Sequence, residues 1–381
     1  MQQIAAAGAS QQIYDIVFTD PRPGDAALVQ VAQQLNPVLA QVFALEQGGQ
    51  PSVGQLAGAL DWTACYAPFL EASGYLANFA GLTVPNVGHI TPRVASDGLV
   101  RHQPAVICHQ GKSYPALGLA ALMAASSESK LTLQRGNQWF DAPWRLTAPI
   151  LGREGVPLDE RGDLRVSWRL HPDSFVSVSA ADLLAGRAPP GLLEKAWVLV
   201  GSTAFGLNDS VATPFGGISA GVQIHAQIMA ALIDGRTPYT PRIAGVGQTL
   251  AAALGLVLLL LLRRRRFPVY LLPLAAALWG SLLWVAHAVL LTRHALWIGW
   301  ANPALYIVMT GLFLGILEHA KSRLDRDRLY IHLSSYLPAP VAAALALQPP
   351  SGAIIASTQQ VSVMFADIRN FSAYLEARPP E

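Results

Sequence analysis

The residues best suited to chemistry are few and widely spaced. Asp367 follows a strand-like run inside Gln360–Ser372, Q-V-S-V-M-F-A-D-I-R-N-F-S. There Val361, Val363 and Phe365 alternate with smaller residues, as in a strand. Taken alone, an acid at the end of a strand is more often structural than functional. Asp97 and Arg101 are spaced to pair across a turn. His225 falls on a helical stretch, where packing or capping is the favoured role over ligand contact. His287 lies within a long apolar stretch. Ionisable groups there can be functional, but a neutral packed or interfacial imidazole is favoured. Cys65 and Cys108 belong to no CxxC or His/Cys cluster, which argues against zinc. A disulfide is open to them in an oxidising compartment, although two unpaired small core residues are the favoured reading. No nucleophile, base and orienter come together in the first 242 residues.

The elements that must position these groups divide in two. The 381 residues are 52% hydrophobic and only 13% charged, and the apolar excess gathers after about residue 243. Net charge is +2, which gives no nucleic-acid footprint. Before residue 243 the pattern is α/β. Strand-like runs are Ile13–Thr19, Val38–Leu45, Leu99–His109, Leu164–Leu170 and Ala196–Gly201, the last read as fully buried. Helical runs are Ala26–Leu35, capped by Asp25, then Pro115–Ala125 and Val222–Ile233. Gly201 and Gly206 suit strand-to-loop turns, and Asp209 and Thr213 suit loop backbone contacts.

After residue 243 come three uncharged apolar stretches, Ile243–Leu262, Phe267–Leu291 and Ala295–Leu317. Each is long enough to cross a bilayer, which takes about 20 residues. The short links force an up-down-up arrangement. Arg263, Arg264, Arg265 and Arg266 follow the first stretch, and Lys321, Arg323, Arg326 and Arg328 follow the third. Basic flanks favour the cytoplasm, so residues 1–242 are expected outside it and residues 318–381 inside. Trp297 and Trp300 fit an interfacial belt at the outer loop. Glu318–His332 reads as a juxtamembrane helix stopped at Tyr336-Leu337-Pro338, within a juxtamembrane and linker segment over 318–357 that also holds a short helix, Val341–Leu347. No secretory signal is legible, because the apolar Ile4–Ala9 is too short and no basic region precedes it. A further segment is therefore expected upstream of Met1.

Two resemblances join these parts. The first rests on four strings: Gly88–Arg101 with Ser96-Asp97-Gly98-Leu99-Val100-Arg101; Tyr114–Ala120; Trp197–Ala204 with Gly206–Asp209; and Thr213-Pro214-Phe215 with Gly221–Ala226. Their order over residues 1–240 resembles the CHASE2 domain, an extracellular sensor of bacterial cyclases and kinases. Against that family, the chain looks as if it starts after the leading helix and the first, acid-bearing strand. The second rests on Tyr336-Leu337-Pro338, Val341 and Gln360–Ser372. These are similar to the lead-in and first strand of a class III nucleotidyl cyclase, F-x-D-[IL]-x-x-F-[TS], which would begin near residue 358.

The resemblances imply an α/β extracytoplasmic sensor, three transmembrane helices and a partial α+β, ferredoxin-like cyclase domain in a bacterial inner membrane. They imply that the Asp367 carboxylate and the Ile368 backbone carbonyl hold Mg²⁺ or Mn²⁺, two ions in the complete cyclase. They further imply a homodimer that turns ATP into cyclic AMP and diphosphate under an unidentified extracytoplasmic signal. The remaining catalytic residues would lie past Glu381, so residues 1–381 alone are expected to be inactive, and the choice of ATP over GTP stays open. A non-enzymatic membrane receptor is the alternative. A transporter is disfavoured, because the spans carry no paired charges.

Overall fold

The computed structural model describes residues 1–46, 51–61, 65–126, 130–152, 154–203, 210–215, 217–265, 268–347, 362, 364–367, 369–370 and 376. Residues 1–314 form one compact unit and residues 315–381 another.

Alternating apolar residues build the main sheet of the first unit. Its order is Trp197–Gly201, Gln11–Asp15, Val38–Ala44, Gly74–Leu76, Ser52–Val53, with Val87–His89 also paired to Val38–Ala44. The first two strands, Val38–Ala44 and Val87–His89 are mutually parallel. Successive side chains in a strand point to opposite faces. Ile13, Val38 and Ala40 therefore share one face and pack on Leu117, Ala120, Ala121 and Met229. Tyr14 and Leu39 share the other, with Ile4, Ala32 and Phe79. The helices Leu117–Ala124 and Val222–Ile233 cover the first face, and Gln2–Ala6 and Asp25–Leu35 the second. Leu117–Ala124 is buried nearly all round, as expected of a helix apolar on every side. It can lie close because Gly88 has no side chain: a Cβ there would sit 2.6 Å from the Leu117 Cα. Gly201 does the same for Val222, at 2.5 Å.

Several sequence expectations need correcting. Leu99–His109 is two strands, Val100–Pro104 and Val106–His109, in different sheets. Ala105 breaks the run, donating to the Gly162 carbonyl and accepting from the Ala116 N–H. Trp197–Gly201 is half-buried rather than fully buried, because it is the edge strand. The first strand is Gln11–Asp15, and of Leu164–Leu170 only Leu164 and Arg165 are strand, as the end of Asp163–Arg165. Asp25 opens its helix with Gly24 as the cap residue, and its carboxylate accepts the Arg22 N–H. Cys65 and Cys108 are bonded, with Cα atoms 5.6 Å apart. The unpaired reading fails because Leu70–Glu71 pairs beside Ile107–Cys108 and leads the chain from Cys65 to that strand.

The apolar helices are Ala244–Arg264, Leu271–His294 and Ala301–Ser334, with mean hydropathies of 2.2, 1.9 and 1.4. At about 1.5 Å per residue, each is long enough to cross a membrane. Their inner seam is small: Leu259, Leu272, Ala276, Ile307 and Leu314 are buried. Gly255 lies against Trp279 and Ile307, and Gly311 against Ala276. Small residues let apolar helices approach closely. Val246, Leu250 and Leu254 face outward and are more than half exposed, as lipid-facing residues would be.

The third helix does not begin at Ala295. Ala295 is left-handed (φ 53°) and ends the second helix. Leu296 then bridges to Tyr239, and helix resumes at Ala301. That helix continues to Ser334, absorbing the expected Glu318–His332 segment. In the second unit Ala339–Leu347 is helical. Of the expected strand around Phe365, the described residues 362 and 364–367 are not strand.

Candidate functional site

Parallel strands end together, and ligands of α/β sheets bind beyond those ends. Here that edge gathers three buried titratable groups. Asp15 ends its strand opposite Gly201, and His89 ends its own opposite Gln41. His225 comes from the first turn of Val222–Ile233, which Gly201 allows to lie close. The His225 Nε2 lies 3.8 Å from Asp15 Oδ1. His89 is wholly buried, with Phe43 edge-on at 6.1 Å.

Burial drives both imidazoles toward the neutral form. Desolvation pulls His89 down to about 3, helped by the nearby His225, and desolvation pulls His225 down to about 4. Among the described residues, both His89 ring nitrogens, the His225 Nδ1 and the Gln103 Oε1 are buried without hydrogen-bond partners. Each such atom costs about 1–3 kcal/mol, so this edge is polar at some expense to stability. Among the described residues, neither histidine hydrogen-bonds a hydroxyl or thiol. A cavity of about 300 Å³ lies at the opposite end of these strands, lined by Asp61, Asn86, Met123 and their neighbours. It lacks the converging titratable groups.

The sequence reading weighed His225 but not His89 or Asp15. A carboxylate inside the apolar Ile13–Thr19 run was the available signal. Asp97 and Arg101 do pair, through two contacts of 2.7–2.8 Å at an exposed turn, and the guanidinium holds the Asp97 carboxyl down at about 2. Thr213 is buried at the end of a short hairpin strand, while Gly206 and Asp209 lie outside the described residues. His287 is packed edge-on against Trp297 at 4.9 Å.

A second constellation joins the sensor to the helices. The Tyr239 N–H donates to the Ala295 carbonyl at 3.0 Å, and the Trp297 N–H to the Tyr239 carbonyl at 2.7 Å. The Arg165 guanidinium stacks 4.6 Å above the Trp297 ring and donates to the Thr240 hydroxyl. The Arg242 and Ile243 N–H groups donate to the Asp141 and Trp139 carbonyls.

Of the two groups expected to hold the metal, only one lies within the described residues. Asp367 is exposed, and Ile368 lies outside the described residues. Elsewhere, Cys65, Glu71 and Cys108 converge among the described residues, but the disulfide removes the thiolates that zinc would need.

An α/β domain leads straight into three helices long and apolar enough to cross a membrane. The family model of the CHASE2 domain matches residues 1–262, and the chain belongs to the CHASE2 family. No curated protein and no solved structure matches the chain.

Proposed function

We propose that this chain is the sensing and membrane-spanning part of a signal-transducing receptor whose output is a nucleotidyl cyclase. The sensor, residues 1–242, lies outside the cytoplasm of a bacterial cell, and residues 318–381 lie inside. The joint from Arg165 and Tyr239 to Leu296 and Trp297 carries the transducing part of this reading. It ties the sensor to the entry of the first helix and to the loop between the second and third. A signal that repacks the sensor thus has a direct path to the helices. The arginines after the first span and the disulfide in the sensor support the topology.

The cyclase output rests on the Gln360–Ser372 string. In that reading Asp367 and the Ile368 carbonyl bind Mg²⁺ or Mn²⁺ and the chain works as a homodimer. ATP is the proposed substrate. The test expresses the reading frame carrying this chain in cells lacking their own cyclases. Cyclic AMP should accumulate, and Asp367→Ala should lower it at least about 100-fold. A frame that makes no cyclic nucleotide, or an alanine variant as active as its parent, would leave the non-enzymatic receptor instead.

A further inference from the structure

The turn at Asn137–Asp141 presents two of the most exposed aromatics in the sensor, Trp139 at 72% and Phe140 at 64%. Exposed apolar rings on a soluble face carry a cost, yet this turn is firmly built. The Asp141 carboxylate accepts the Asn137 and Gln138 N–H groups at 3.0 and 2.8 Å. Gly136 is sealed under it, where a Cβ would meet the Ala142 carbonyl oxygen at 2.1 Å. The rings are therefore held outward by a fixed backbone.

The turn's height is also fixed. The Ile243 N–H donates to the Trp139 carbonyl at 3.0 Å, and the Arg242 N–H to the Asp141 carbonyl at 3.1 Å. The Arg242 guanidinium adds a bond to the Gly136 carbonyl at 2.8 Å, and the Tyr239 hydroxyl bonds the Phe140 carbonyl. Ile243 is the residue just before the first apolar helix. The backbone that carries the two rings is thus hydrogen-bonded directly to the residue that opens that span. Tryptophan is enriched where the hydrocarbon meets the head groups, because its flat amphipathic ring suits that boundary, and phenylalanine serves as an apolar residue that such interfacial segments bury.

We propose that Trp139 and Phe140 insert into the outer lipid interface and anchor the sensor domain against the bilayer. This rests on Ala244–Arg264 being a membrane span. The anchor lies outside the helices themselves, so the sensor touches lipid as well as its own transmembrane segment.

The test uses the full chain in phosphatidylcholine nanodiscs. Its two cysteines are bonded to each other, so one introduced thiol can be labelled selectively. An environment-sensitive fluorophore is placed in separate variants at Trp139→Cys, Leu250→Cys and Val176→Cys. Leu250 is an outward residue of the first span, and Val176 is an exposed sensor residue, 57% and 77% accessible respectively. Lipid carrying a nitroxide high on its acyl chain is then added. The Trp139 and Leu250 labels should be quenched roughly twofold or more beyond the Val176 label. Quenching at Leu250 with Trp139 no different from Val176 overturns the anchor alone. No quenching at Leu250 overturns the membrane reading, and the anchor with it. If Trp139→Cys does not fold, Phe140→Cys reports the same interface under the same criteria.

Discussion

His89 and His225 are imidazoles held neutral by burial. In the unfolded chain they take protons below about pH 6.5. In the folded sensor they resist protonation until about pH 4 for His225 and about pH 3 for His89. Between those limits the unfolded state binds more protons, so the stability present above pH 6.5 is lost as pH falls. Each pKa unit is worth about 1.4 kcal/mol, so a few kcal/mol should vanish on acidification. Denaturant midpoints taken across this range should decline, and His89→Gln should flatten the decline. An unchanged profile in that variant would remove His89 from the account. Arg93 and Asp163 form a second buried arrangement, with the Asp163 carboxylate 1% exposed and gripped at two atoms. Burial pushes the Asp163 carboxyl up while Arg93 draws it back, and the same contact raises Arg93. Arg93→Ala would strand that acid and should cost about 3–5 kcal/mol. Adding Asp163→Asn should recover part of the loss, and a loss that the second change leaves untouched would contradict the pairing. None of these partners was legible along the chain, because each pair joins residues far apart in sequence.

At the scale of elements, close approach decides more than propensity. The Leu117–Ala124 helix meets its strand through Gly88, and a side chain there would strike the Leu117 backbone and the Ala120 Cβ, neither of which can rotate away. Gly88→Ala should therefore cost about 1–3 kcal/mol, seen as a lower denaturant midpoint. A midpoint equal to the parent's would show that the helix can shift at little cost. The disulfide closes a loop across 43 positions. Converting both cysteines to serine should lower sensor stability by about 2–4 kcal/mol, and a reducing agent should reproduce that loss in the parent but not in the double variant. Elements with strong local patterns were readable in advance. Val38–Ala44 and Val222–Ile233 matched nearly residue for residue, since their apolar spacing is set locally. The Leu99–His109 run reads as one strand along the sequence because its break at Ala105 is made by Gly162 and Ala116, which no short window contains together. The exposure of Trp197–Gly201 was missed for a similar reason, because an edge position is a property of the sheet.

At the scale of the molecule, composition alone separated an α/β region from three apolar helices, and the family match over residues 1–262 spans that region together with most of the first helix. The joint between them was not legible. Tyr239 and Trp297 sit 58 positions apart, and only the folded chain brings their backbones together. That joint bears on how such receptors could be recombined. A graft that takes the sensor and cuts at residue 242 would carry Arg165 and Tyr239 to a host whose second and third helices offer no matching loop. One that cuts at residue 262 would bring the native first helix and still leave the Arg165 guanidinium over foreign residues. The smallest portable cassette therefore runs through Trp300, because its last indispensable contacts are made by a loop two helices further along the chain.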